Sequence, residues 1–400
     1  MEDTEQAGLT VSMVHHKILL LSTSYPRKEE FPGSTSMVLA EMLVKTDMDV
    51  GVLVFSKTKQ FREYNRNGVR VIEYPYTRLF PPLLHTKNEL LASVRSGILP
   101  KFQVFGLAIA TIRCLLKYGR EYDLIHAFWF IPSGLLLALA NKILRKPVLL
   151  TSLGTDLHSI PKNAFFITLY KFINRNYNHI VTCSGYLKKH AMDFGVNPEK
   201  IRIIYTCAKT EYHNLPRKPH DKIVIAAVAR LMAFKRIDEL ISAASQIESD
   251  KFRILIIGDG PERGRLENQV KTMAMENKVT FLGWIEDVHN KLSEVDILVN
   301  PSINEGLSTV LIEAITAGCV PIATKGHGPD EIIDNGLNGF LYESTKVEQL
   351  RDILTRLIED DALREDMSKR AKEKSAHFDV NVFCEKYREL YSQVIVDKQK

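Results

Sequence analysis

Two glutamates eight positions apart, Glu305 and Glu313, stand in the string PSINEGLSTVLIEAITA, Pro301 to Ala317. The string reads as a strand ending at Pro301, a short loop carrying Glu305 and Gly306, and a helix beginning near Ser308. Backbone N–H groups at a helix start have no intrahelical partners and lie at the positive end of the helix dipole, which makes an anion site. Gly306 lets an anion approach the backbone closely. Eight residues rise about 12 Å along a helix, so one acid belongs at the helix mouth and the other about a turn inside. A ligand with hydroxyls on both sides of a charged centre suits that spacing. Either glutamate alone is more often a helix cap or a solvated acid; the whole string points to a ligand.

A second constellation is VARLMAFKRIDEL, Val228 to Leu240. Arg230 follows an apolar strand and Lys235 opens the next helix. Loops at strand C-termini line the crevice of an open α/β sheet, where two cations could neutralise a diphosphate. A lone Arg or Lys is usually a solvated surface charge; their position makes these two candidates. The turn Gly258-Asp259-Gly260 fits a close nucleotide approach or a plain tight turn equally well.

These residues need a scaffold, and the pattern supplies one. The apolar run from Lys17 shows no alternation and reads as a buried parallel strand, and further strands are read from Val50, Val69, Tyr122, Lys146, His179 and Ile201. Helical segments fall between them at Gly33–Val44, Gly134–Leu144 and Tyr186–Phe194. The pattern restarts with strands from Lys222, Phe252, Lys278, Val295 and Val320, and helices at Arg236–Glu248, Arg263–Met275 and Ser308–Ala317. Such β-α alternation means two Rossmann-like α/β domains with parallel sheets. The expected organisation is a disordered leader over 1–16 and an N-terminal domain over 17–205. A polar, Pro-rich linker follows over 206–221, then a C-terminal domain over 222–378. A last helix within 379–400 is expected to pack back on the N-terminal domain.

The chain has 400 residues, 45% hydrophobic and 25% charged, enough for two buried cores without disulfides or metals. Five cysteines with no C-x-x-C pair argue against a disulfide scaffold or zinc ribbon and lead to an expected cytoplasmic location. No uncharged run is long enough to span a bilayer, and residues 1–16 lack a signal peptide's apolar core. Charge is uneven. Lys57 to Arg120 holds twelve Lys and Arg against three acids, a net +9, within a chain of net +5. An anionic partner is expected there. No RNA- or DNA-binding motif accompanies it, so an anionic membrane surface is preferred over nucleic acid.

With these motifs in order, the C-terminal half resembles the large retaining glycosyltransferase family called group one or family four, with the GT-B fold. Arg230 and Lys235, the pair Glu305 and Glu313, and the segments Gly258-DGPER, Phe281-LGWI and Gly328-PDEIIDNGLNGFL carry the likeness. The resemblance implies two Rossmann-like domains with parallel sheets facing a central cleft. It implies that Arg230 and Lys235 bind the donor diphosphate and that Gly306, Leu307, Ser308 and Thr309 offer it backbone amides. Glu313 would hold the ribose and Glu305 the donor sugar, with the base near Gly258 and Trp284–Ile285. The partners implied are a nucleotide-sugar donor, UDP- or GDP-linked, and a glycan or lipid-linked acceptor. No cofactor or metal is implied, because Arg, Lys and the helix dipole supply the compensating charge.

The N-terminal half departs from the family pattern. Only Gly33 stands where many relatives have a Gly-Gly turn, and Leu153 precedes Gly154, Thr155 and Asp156 where many have His. Gly33, Gly154 and Asp156 are expected on the acceptor or hinge side. His126 is a candidate to replace the missing histidine. The family's Asn-Gly-Val-Asp becomes Thr206-Cys207-Ala208-Lys209. A nucleotide-sugar epimerase of the same fold and a non-catalytic sugar-nucleotide-binding protein stand as alternatives. An NAD-dependent oxidoreductase would need G-x-G-x-x-G after a strand, but Thr23-SYPRKEEF follows the first one.

Overall fold

The structure, a computed structural model, describes residues 15–26, 34–46, 48–77, 98–158, 160–208 and 221–399. Gly33, the stretch 78–97 and most of the expected linker lie outside the described residues. Two compact units are present. One holds the described residues up to Phe128, Pro132–Leu149 and those from Leu390 on; the other holds Trp129–Ile131 and Leu150–Glu389.

The first sheet contains β1 (Lys17–Leu21), β2 (Asp49–Phe55), β3 (Arg62–Arg66), β4 (Val69–Tyr74), β5 (Leu124–Phe128), β6 (Val148–Ser152), β7 (His179–Thr182) and β8 (Ile201–Ile203). Their order is β3-β4-β2-β1-β5-β6-β7-β8. β1 pairs in parallel with β2 and β5, β2 with β4, and β7 with β8. Ile18, Leu19 and Leu20 are fully buried, as a strand covered on both faces requires. One edge differs from the all-parallel expectation. β3 is antiparallel to β4, joined by a turn at Asn67-Gly68 with φ of 51° and 86°. Asn-Gly accepts the positive φ that a tight hairpin demands.

The second sheet contains β9 (Ile223–Val228), β10 (Phe252–Ile257), β11 (Val279–Gly283), β12 (Ile297–Asn300), β13 (Val320–Thr324) and β14 (Phe340–Tyr342). Its order is β11-β10-β9-β12-β13-β14, all pairs parallel. Ile225, Ile254, Ile256, Ile297 and Val299 pack there with Leu240, Ile241, Leu350, Leu354 and Leu357 of the helices Ile237–Ala244 and Val347–Glu359. The chain leaves β9 for β10 on one side, whereas β12 lies on the other. Order therefore reverses between β9 and β12. In an open parallel sheet the crevice for a ligand forms at that reversal, outside the carboxyl ends of the strands.

Candidate functional site

The turns that follow β9 and β12 meet at this crevice. Arg230, just past β9, is exposed. The backbone around it is clamped by the turn after β10. Leu231 N donates to Asp259 O at 3.0 Å, and Gly258 N donates to Gly283 O at 2.7 Å. Gly258 has φ of 123°, and a Cβ there would stand 2.0 Å from Ala229 O; only glycine fits. The Gly258–Gly283 bond sets the Gly258 turn beside that of Trp284, which is 63% exposed, and of half-buried Ile285.

Next comes the turn Ala233–Lys235. Phe234 O accepts from Ile303 N at 3.0 Å, tying it to the loop after β12. Lys235 Nζ lies 2.7 Å from Glu305 Oε2, with both side chains 19% exposed. Asn304, at φ 60°, turns the chain into Glu305; Asn is among the few side chains that tolerate this region. Ser308 caps the helix Thr309–Thr316 and also accepts from Asn300 Nδ2 at 2.7 Å. Both acceptor sites of its hydroxyl are thus taken by local structure. Gly306, Leu307, Ser308 and Thr309 can offer an anion backbone N–H at a helix N-terminus. Glu313 sits half-buried within that helix, while Glu305 lies ahead of it in the loop.

Three further backbone segments press on Glu305–Gly306. Ser184 Oγ, the cap of the helix Gly185–Asp193, donates to Gly306 O at 2.6 Å. Gly328 N donates to Glu305 O at 2.9 Å, and a Cβ on Gly328 would come 2.0 Å from Gly306 O. Gly154, at φ 116°, is close enough that its Cβ would lie 3.6 Å from Gly306 Cα. Glu331 completes the arrangement by accepting from Gly185 N at 2.9 Å and Tyr186 N at 3.0 Å. A carboxylate at a helix N-terminus meets both the unpaired amides and the dipole.

Around these segments lie four rings. His158 stacks on Tyr186 with centroids 5.3 Å apart and meets His190 edge-on at 4.8 Å. Tyr186 also meets His190 at 4.6 Å and His327 at 5.3 Å. Burial pushes the His158 pKa down to about 4, aided by repulsion from His190 and His327 and opposed by Glu305. Burial likewise lowers that of His327, against the pull of Asp330 and Glu305. His158 Nε2 and His327 Nδ1 are buried without a hydrogen-bond partner.

Several expected site residues are therefore assembled: Arg230, Lys235, Gly258, Glu305 to Thr309, Glu313 and Gly154. Others are placed differently. Asp156 is buried and accepts from Ser152 Oγ, Gly154 N and Phe130 N, at 2.9, 3.2 and 2.9 Å. It shapes the Gly154 turn and does not face outward. His126 lies in the core of the first unit, sharing a 2.7 Å hydrogen bond with the Tyr391 hydroxyl and stacking on Phe128 at 4.4 Å. Full burial lowers its pKa to about 3. That is the setting of a packing residue, not of a group that meets substrate. Ser184, Glu331, His158, Tyr186 and His327 were not expected at the site. For Glu331 a signal existed in the Gly328-PDEII string; a lone histidine gives none.

Comparisons with known proteins agree with this geometry. The family model for glycosyl transferases group 1 matches residues 208–374, and that for glycosyltransferase family 4 matches residues 35–212. N-acetyl-alpha-D-glucosaminyl L-malate synthase of Bacillus anthracis is 25% identical over 74% of this chain and 81% of its own. A Campylobacter jejuni enzyme, N-acetylgalactosamine-N,N'-diacetylbacillosaminyl-diphospho-undecaprenol 4-alpha-N-acetylgalactosaminyltransferase, is 27% identical over 49% of this chain and 54% of its own. Among solved structures, Anabaena HepE, solved with UDP and with UDP-glucose, superposes with a TM-score of 0.73 at 20% identity. In the UDP complex the match covers 94% of this chain and 100% of HepE. Two β-α sheets, a crevice where the second sheet reverses order, and two adjoining family matches lead to one conclusion: the chain belongs to the group 1, family 4 glycosyltransferases and has the GT-B fold.

Proposed function

We propose that this glycosyltransferase moves a hexose-type sugar from a UDP- or GDP-linked donor to a glycan or lipid-linked acceptor, with the anomeric configuration retained. One observation carries the reading: the Lys235–Glu305 pair at the mouth of the helix Thr309–Thr316, in the crevice between β9 and β12. Arg230, Lys235 and the amides from Gly306 to Thr309 hold the diphosphate and stabilise its charge as it leaves. Glu305 takes hydroxyls of the sugar and Glu313 those of the ribose. The base lies along Gly258 and Trp284–Ile285. The transition state has oxocarbenium character. No side chain here is an evident nucleophile, and front-face attack assisted by the leaving phosphate accounts for retention. The HepE complexes with UDP and UDP-glucose support the donor class, and the undecaprenol-linked substrate in the name of the Campylobacter relative supports a lipid-linked acceptor.

The same reading places the protein in the cytoplasm, on the inner face of the membrane. The helix Ile98–Tyr118 supports it. Phe102 and Phe105 are 68% and 66% exposed, and with Ile109, Arg113 and Lys117 they form one exposed stripe. Apolar residues beside cations suit an anionic lipid surface. The neighbouring residues 78–97, part of the same expectation, lie outside the described residues. Liposome flotation tests it: binding to anionic vesicles and release by salt are expected, and equal recovery in the soluble fraction with every vesicle type would refute it.

The activity is tested by incubating the protein with a panel of nucleotide sugars and a lipid-extract acceptor, with and without EDTA. Transfer detected by mass spectrometry, an α-linked product from an α-linked donor, and survival in EDTA are the expected results. Inverted product or rescue by manganese alone would overturn the mechanism. Epimerised nucleotide sugar with no transfer would point to an epimerase.

A further inference from the structure

We propose that His158 and His327 form a reading element for the transferred sugar, recognising an uncharged substituent, a hydroxyl or an acetamido group, that lies against Glu305. The inference rests on the donor reading above and adds the class of sugar that it takes. Its foundation is geometric. Two imidazole nitrogens, His158 Nε2 and His327 Nδ1, are buried with no partner. Leaving a buried polar atom unpaired is costly, so a group that arrives with the ligand is the natural partner. The rings come from separate segments, the short helix Thr155–His158 and the loop before Gly328. Both are held against Tyr186, at 5.3 Å each, and His190 braces His158 and Tyr186. Both sense the Glu305 carboxylate.

The chemistry of the ligand group follows from what surrounds it. A neutral imidazole nitrogen donates or accepts according to tautomer, so two of them match a hydroxyl, which does both, or an amide, which has one site of each kind. Charging His158 is disfavoured by burial and by the nearby His190 and His327. An anionic substituent would also face Glu305, whose charge is balanced by Lys235, and Asp330 near His327. A carboxylated sugar is therefore a poor fit. The diphosphate has its own place at the mouth of the helix Thr309–Thr316.

The test is calorimetry on the full-length protein with UDP-glucose, UDP-N-acetylglucosamine, GDP-mannose, UDP and GDP. Of these, the nucleotide sugar that binds the wild type best serves as probe. His158→Phe and His327→Phe keep the ring volume and remove the nitrogens. Each is expected to weaken the probe at least tenfold while leaving the matching free nucleotide within twofold. His158→Gln and His327→Asn return an amide near Nε2 and Nδ1 respectively and should restore most of the loss. Wild-type affinity for the probe in both Phe variants would overturn the inference, as would equal losses for probe and free nucleotide, which is the signature of a structural role. A wild type that binds neither the nucleotides nor their sugars would overturn the donor reading itself, and the inference with it.

Discussion

Lys235 and Arg236 are neighbours in sequence, and each pairs with a glutamate, but the two regions they build are different. Arg236, at φ 49°, places Nη2 2.8 Å from Glu239 Oε1. Glu239 is 2% exposed and also accepts from the Tyr342 hydroxyl at 2.8 Å, Thr345 N at 3.0 Å and Ser344 Oγ at 3.3 Å. Its acceptor capacity is used up in joining the helix Ile237–Ala244 to the chain that leaves β14. Lys235 and Glu305 share a single 2.7 Å contact at 19% exposure. An ammonium has three donors and a carboxylate about four acceptor sites, so most of that capacity is open. A saturated pair holds the fold, whereas an unsaturated pair at a crevice is available to a ligand.

The sharpest way to break this contrast is to remove Glu239. Glu239→Ala leaves the buried Tyr342 hydroxyl without its acceptor and half-exposed Arg236 with only Asp238, 3.7 Å away, and about 2–4 kcal/mol of stability should be lost in urea unfolding. Turnover per folded molecule at low temperature should be close to wild type. A loss under about 1 kcal/mol, or activity lost in step with stability, would make the two pairs alike. Lys235→Ala should behave in the opposite way. Its expected cost is on the order of 2–4 kcal/mol of transition-state stabilisation, read as kcat/KM, with a smaller loss of stability than in Glu239→Ala. Arg230→Ala should fall in the same range for turnover. Near-normal kcat/KM in both single variants would sink the diphosphate assignment.

A smaller effect separates the two glutamates that frame the helix mouth. Glu313→Gln should weaken free nucleotide and nucleotide sugar alike, by roughly tenfold or about 1.4 kcal/mol. Glu305→Gln should spare the free nucleotide and impair transfer. Calorimetry in which both variants lose the same affinity for free nucleotide would refute that division.

Much of this is legible in the sequence alone. Buried parallel strands such as Lys17–Leu21 and Ile223–Val228 read as unbroken apolar runs, and β-α alternation then dictates where loops gather. Lys235, Glu305 and Gly306 could be placed because each sits beside a strand end or helix start. β3 could not, because REYNR is a half-exposed polar edge strand; its one signal was the Asn67-Gly68 turn. The ring cluster was hidden for another reason. His158, Tyr186 and His327 carry no period of their own, and the last is far along the chain from the others. Tertiary packing alone brings them together. His126 shows the converse error. Its strand, LIHAF, is buried at every position, and a histidine inside such a run is a core residue before it is anything else.

The two kinds of histidine supply the finest test of the contrast. The His126 pKa is about 3 in the folded chain and 6.5 when unfolded. Between those values the unfolded chain binds a proton that the folded chain refuses, so this group makes stability rise with pH. The contribution is full above pH 6.5 and is lost as pH falls toward 3. Its largest slope is about 1.4 kcal/mol per pH unit. His158, at about 4, has the same sign over a narrower window. In His126→Asn a non-titrating amide stands near the Tyr391 hydroxyl. Between pH 6.0 and 5.0 that variant should lose about 1 kcal/mol less stability than the wild type, because one differential proton is gone. Carboxylates titrate equally in both proteins and cancel in the difference. His158→Gln should flatten the same limb, but adding a bound nucleotide sugar should change only the His158 comparison, since His126 is spent on Tyr391 and Phe128. Parallel limbs for wild type and His126→Asn would mean that the buried ring accepts a proton without cost, and the distinction between a spent histidine and an open one would fall.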